Sequence, residues 1–280
     1  MTPHSQRALI SVDELAADIG RRAGLVLLDV RWQVAGPSQY PLYLTSHLPG
    51  AHWCDLDADL ADPPGAAGRH PLPDPQRLEA RLRAWGVEPQ SEIVVYDQGN
   101  SVAAARAWWV LRWAGLGQVR VLDGGFDAWL GGGHPVEAGP MPPAAGTVSV
   151  EPGSLPTLDA DTAASWAGAG RLFDVRAAER FRGEVEPIDP VAGHIPGAVN
   201  LPTTANVGPS GHFLPEPELR QRFQAAGAAN QDAPVGVYCG SGVTAAHTVL
   251  AMRLAGIEAV LYPGSWSEWI TDPDRPVETG

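Results

Sequence analysis

The sequence predicts an α/β protein of two tandem domains, each an open, mainly parallel sheet flanked by helices on both faces. Two observations carry this reading. Short apolar runs bounded by turn residues alternate with helical stretches, and the whole pattern occurs twice. The runs at 25–28, 93–96, 119–122, 235–238 and 260–262 are too short and too continuously apolar for half-exposed antiparallel strands, so they are expected to be buried parallel ones. Between them, 75–85 is expected to form a helix that turns Arg77, Glu79, Arg81 and Arg83 outward, and 103–114 and 243–255 two further helices.

The repetition is visible in four landmarks kept in the same order. Leu28-Asp29-Val30-Arg31 matches Phe173-Asp174-Val175-Arg176, and His47-Leu48-Pro49-Gly50-Ala51 matches His194-Ile195-Pro196-Gly197-Ala198. Val95-Tyr96-Asp97 matches Val237-Tyr238-Cys239, and Gly124-Gly125-Phe126-Asp127-Ala128-Trp129 matches Gly264-Ser265-Trp266-Ser267-Glu268-Trp269. The offsets are 145, 147, 142 and 140 residues, a small drift that short loop changes in a duplicated domain account for. A stretch rich in glycine and proline, 131–143, cannot sustain helix or strand and separates the repeats. The division expected is 1–137 for a non-catalytic first domain, 138–154 for a linker and 155–280 for a catalytic second domain.

The composition excludes several functions. With 32 acidic against 19 basic side chains, the net charge of −13 opposes nucleic acid and anionic membranes, since both need a positive patch. All the basic residues are arginine, a bias to which no function attaches. Two cysteines, Cys54 and Cys239, make neither a disulfide framework nor a thiolate zinc site. The first twenty residues hold Asp13, Glu14 and Asp18 and no continuous apolar run, so no targeting peptide or membrane span is expected. A cytoplasmic, reducing setting is the corresponding expectation.

Ligands of open α/β sheets bind beyond the carboxyl ends of the strands. Cys239 follows the run 235–238 at such an end, and Cys239-Gly240-Ser241-Gly242-Val243-Thr244 leads into a helix. Two glycines let the backbone curl so that successive N–H groups of Gly240, Gly242, Val243 and Thr244 face one point, an anion cradle at a helix start. Amide dipoles there favour the thiolate, so Cys239 is expected to be a nucleophile. The equivalent position in the first half is Asp97, which can fill such a cradle but cannot carry sulfur.

The pairing of His-x-Pro-Gly-Ala with Cys-Gly-Ser-Gly-Val-Thr-Ala and a terminal Gly-x-Trp-x-x-Trp resembles the tandem-domain sulfurtransferases of the rhodanese family over essentially the whole chain. The resemblance implies that Cys239 takes sulfane sulfur from a small-molecule donor as a persulfide. It then passes the sulfur to cyanide or a thiol, with a thioredoxin-like reductant as a further partner and with no metal or organic cofactor. Members that prefer thiosulfate carry two cations directly after the cysteine, whereas Gly240-Ser241 resembles the 3-mercaptopyruvate type. In that type the loop serine acts with a His and an Asp of the first half; the matches are Ser241, His70 and Asp57. The resemblance also implies that Arg180 binds the donor carboxylate, by the two-pronged contact arginine makes best. A second arginine expected nine residues later is missing from Glu186-Pro187-Ile188-Asp189-Pro190, with Arg182 the nearest substitute.

Asp174, Arg176, His47 and His194 are expected to fix loops and turns, and Cys54 to be buried and inert. A cysteine phosphatase would need arginine at position 245, where this chain has Ala245. A non-catalytic binding module would not need Cys239.

Overall fold

The computed structural model describes residues 7–228 and 234–280. They form two compact units, each around its own sheet. The first sheet contains β1 (Leu9–Ile10), β2 (Leu25–Asp29), β3 (Ala51–Trp53), β4 (Glu92–Tyr96) and β5 (Val119–Leu122), in the order β1-β5-β4-β2-β3. The second contains β6 (Leu172–Asp174), β7 (Val199–Asn200), β8 (Val235–Tyr238) and β9 (Ala259–Leu261), in the order β7-β6-β8-β9. Every pairing within these sheets is parallel. Read from the opposite edge, the second order repeats the first, and an isolated parallel bridge from Thr157 to Leu261 stands where β1 would pair.

The helices lie close to where the pattern puts them. Pro75–Ala84 is capped by the Asp74 carboxylate, which accepts from the Arg77 N–H at 2.9 Å, and turns Leu78 and Leu82 inward. Val102–Trp113 and Val243–Leu254 are apolar on nearly all sides and correspondingly buried, as a helix packed within a core must be. Each unit then repeats one polar device inside its core. Arg31 grips Asp29 with Nε and Nη2, and Arg176 grips Asp174 in the same way. The Tyr96 hydroxyl donates to Asp29 and accepts the Leu48 N–H; the Tyr238 hydroxyl likewise accepts the N–H of Ile195. His47 and His194 serve their turns, bonding the carbonyls of Leu48 and Gly139 and of Phe181 respectively.

Two segments cross the division expected from sequence. Residues 63–72 pack with the second unit, and residues 207–213 with the first. The first exchange depends on close backbone approach. Gly68 sits at φ +97°, and a Cβ there would lie 2.8 Å from the Gly264 carbonyl oxygen. The Arg69 N–H donates to the Ser267 hydroxyl at 3.0 Å, and the Thr271 hydroxyl to the Ala66 carbonyl at 3.3 Å.

Candidate active site

Cys239 lies where β8 ends, in the second unit, with 2% of its surface exposed. The loop behind it is held from below. Its N–H donates to the Ser265 hydroxyl at 3.1 Å, its carbonyl accepts from Trp266, and the Gly240 carbonyl accepts from Ser267. Gly242, at φ +79°, turns the chain into the helix Val243–Leu254 and donates its N–H to the Cys239 sulfur at 3.1 Å. Val243 opens that helix and is buried, and the Thr244 carbonyl accepts from the Thr203 hydroxyl at 3.5 Å.

The first unit contains the same loop with an anion already in it. Both oxygens of Asp97 are used, Oδ1 accepting from the N–H groups of Gly99 and Ser101, and Oδ2 from those of Ala103 and Ala104. Burial raises the pKa of this carboxyl and the four N–H bonds oppose the rise. The two loops differ by one residue. Ser101, left-handed at φ +59°, precedes its helix as Gly242 precedes the other, so Ala103 and Ala104 correspond to Thr244 and Ala245.

Around the Cys239 loop stand three side chains, His70, Arg180 and Arg69, that lie far from it in sequence. Nδ1 of His70 is 2.7 Å from the Ser241 hydroxyl. Arg180 is held by Glu186, with Nε to Oε2 at 3.1 Å and Nη2 to Oε1 at 2.7 Å. Arg69 ion-pairs with Asp189, whose other oxygen is 3.1 Å from Arg180 Nη2. A Cβ on Gly240 would lie 2.8 Å from Arg69 Nη2 and 3.7 Å from both terminal nitrogens of Arg180, so the Arg69 guanidinium occupies the space that a side chain at position 240 would fill and Arg180 adjoins it. Burial lowers the pKa of Arg69, and the neighbouring Cys239 opposes that shift.

Of the residues singled out from sequence, Cys239, Gly240, Ser241, Gly242, Val243, Thr244, Arg180 and His70 all belong to the second unit. Asp57 belongs to the first, on the short helix Leu56–Asp59, where its carboxylate accepts from the Trp32 indole at 3.1 and 3.2 Å. Arg182 does not replace the missing arginine: it pairs with Glu184 at the surface. Sequence reasoning missed Arg69 in that place. It adjoins His70, but only the seating of residues 63–72 on the second unit brings its head to Gly240. Cys54 is fully buried, and burial, with Asp59 next, raises its pKa well above that of a free thiol.

Comparison with known proteins identifies the family. The Rhodanese-like domain model matches residues 11–131 and 159–272. The chain is 46% identical, over 99% of both chains, to a Pseudomonas aeruginosa protein provisionally named 3-mercaptopyruvate sulfurtransferase. It is 45% identical, over 98% of both, to SseB of Mycobacterium tuberculosis, provisionally named a thiosulfate sulfurtransferase. The crystal structure of SseA, the 3-mercaptopyruvate enzyme of Escherichia coli, matches with a TM-score of 0.82 at 32% identity, covering 94% of this chain and 100% of that one. With both halves matched and the fold repeated in each, the chain belongs to the rhodanese family, among its tandem-domain sulfurtransferases.

Proposed function

We propose that this enzyme transfers the sulfur of 3-mercaptopyruvate to a thiophilic acceptor through a persulfide on Cys239. The observation that carries the reading is the N–H bond from Gly242 to the Cys239 sulfur, which matches the bond from Ser101 to Asp97 in the filled cradle of the first unit. Ser101 and Gly242 are equivalent donors, so the inner sulfur of a persulfide corresponds to Oδ1 of Asp97. The outer sulfur then takes the place of Oδ2, before the N–H groups of Thr244 and Ala245. Such preorganised donors stabilise an anion without reorganisation at the moment of reaction.

In the first step the Cys239 thiolate attacks the donor sulfur, an S–S bond forms and the donor's C–S bond breaks. The electron pair leaves on the three-carbon fragment as an enolate, which takes up a proton to become pyruvate. Ser241, oriented by His70, is suited to hydrogen-bond the developing enolate oxygen. Asp57, which belongs to the first unit, is assigned the supporting role that the family resemblance implies. Arg180 and Arg69 bind the donor carboxylate. In the second step cyanide or a thiol attacks the outer sulfur and the Cys239 thiolate is regenerated, so neither metal nor organic cofactor takes part. A thioredoxin-like dithiol fits as a physiological acceptor. The first domain is the non-catalytic repeat, and two free cysteines suit a reducing, cytoplasmic setting.

Thiosulfate as main donor is a second reading, favoured by the two guanidinium groups at Gly240. Turnover of both donors with cyanide, side by side, decides between them. Incubation with donor should add about 32 Da per sulfur to the intact chain, reversibly by thiols. Cys239→Ser should abolish the gain and the turnover, and Cys54→Ser should preserve both. The reverse pattern would move the chemistry to Cys54.

A further inference from the structure

We infer that Asp189 determines donor specificity by setting the charge that the Cys239 loop presents. The inference rests on the sulfurtransferase reading above and deepens it. Asp189 stands nine residues after Arg180, where the family resemblance implies an arginine and this chain carries a carboxylate. Asp189, with only 3% of its side chain exposed, ion-pairs with Arg69 through Oδ1 and with Arg180 through Oδ2. Its own N–H donates to Glu186 at 3.1 Å, which fixes the carboxylate between the two arginines.

Each cation keeps one terminal nitrogen that these acids do not take. Glu186 takes Nε and Nη2 of Arg180, and Asp189 takes Nη1 of Arg69. Arg69 Nη2 and Arg180 Nη1, which neither acid takes, lie 2.8 and 3.7 Å from the Cβ position of Gly240, with Arg180 Nη2 equally near at 3.7 Å. The near surroundings therefore offer donors for one carboxylate, while Asp189 and Glu186 cancel the formal charge of the pair. A monoanionic 2-oxo acid such as mercaptopyruvate needs no more. Thiosulfate has a second negative charge, and Asp189 repels it from within a partly water-excluded site, where screening is weak. Asp189 is thus a positioning residue for Arg69 and a discriminator against dianionic donors.

The test is kcat/KM for mercaptopyruvate and for thiosulfate, measured on the full chain as wild type, Asp189→Asn and Asp189→Glu. Asp189→Asn should raise the thiosulfate-to-mercaptopyruvate ratio about tenfold, equivalent to about 1.4 kcal/mol, chiefly through KM, and inorganic sulfate should become a stronger competitive inhibitor. Asp189→Glu keeps the charge and should return the ratio close to that of wild type. A purely structural role would lower both donors by the same factor and leave sulfate inhibition unmoved, and that result would overturn the inference. An Asp189→Glu ratio as high as that of Asp189→Asn would overturn it too. Wild-type enzyme that turns over neither donor would instead overturn the sulfurtransferase reading itself.

Discussion

Nδ1 of His70 and the hydroxyl of Ser241 stand 2.7 Å apart although 171 positions separate them in the chain. Neither residue could be paired with the other by spacing. The contact exists because residues 63–72 pack with the second unit, anchored by Gly68 against Gly264 and by Arg69 against Ser267. A serine hydroxyl rotates freely unless a partner fixes it, and an imidazole nitrogen at this distance fixes it.

From that pair follows a donor-selective effect. Ser241→Ala should lower kcat/KM for mercaptopyruvate by roughly 10- to 150-fold, the value of a hydrogen bond to a charged group at about 1.5–3 kcal/mol. Thiosulfate, which releases sulfite and no enolate, should be affected much less. If His70 acts through the hydroxyl, the double variant with His70→Ala should be no worse than the more damaging single change. Additive losses in that cycle would separate the two roles.

Gly240 should tolerate no side chain, for a reason that concerns binding more than folding. Its Cβ would approach Arg69 Nη2 to 2.8 Å, and that atom is the end of a flexible side chain that can swing away. Gly240→Ala should therefore leave the midpoint of thermal unfolding within a few degrees of wild type, as a change of under about 1 kcal/mol implies. It should raise KM for anionic donors several-fold by displacing the guanidinium. A large fall in thermal midpoint with unchanged KM would mean that the glycine serves the backbone.

The fold was legible because its determinants are local or repeated. Apolar runs such as 93–96 and 235–238 can be buried only as central strands, and β4 and β8 are fully buried. Asp97 and Cys239 were likewise legible as equivalents, because each follows such a run. Arg69 and Asp189 were not. Their pairing depends on where a loop from the first half of the sequence comes to rest, and no periodicity encodes that. Asp189 instead looked like a gap in the family pattern. The one-residue difference between the two loops also escaped alignment by strands, since the left-handed turns at Ser101 and Gly242 set the register of the N–H groups.

Seating of residues 63–72 on the second unit makes a prediction about fragments. A chain of residues 155–280 lacks Arg69 and His70, both of which lie against the Cys239 loop. It should turn over mercaptopyruvate at least about a hundredfold less efficiently than the whole protein, since the hydrogen bonds those two side chains make at the site contribute about 1.5 kcal/mol or more each. Undiminished kcat/KM in a folded fragment, checked by circular dichroism, would show that neither residue contributes to turnover.

Asp97 offers a test in the first unit that is independent of turnover. Each of its oxygens accepts two N–H groups, and an asparagine could serve only two of the four. Asp97→Asn should therefore cost about 1–3 kcal/mol of stability through N–H groups left facing an amide nitrogen. The cost should depend on pH. Burial raises the Asp97 pKa in the folded chain, so folding favours the protonated acid. That contribution is present in full below the unfolded value of about 3.9 and is lost as pH rises through the raised one. Asparagine does not titrate, so the advantage of wild type over Asp97→Asn should be greatest below about pH 3.9 and narrow as pH rises toward neutral. Denaturant unfolding of both proteins across that range measures the difference directly, and an advantage that widens with pH would mean that the four N–H bonds outweigh burial. Turnover at Cys239 should meanwhile stay within about tenfold of wild type, since the change acts on the stability of the repeat that carries no thiol in its cradle.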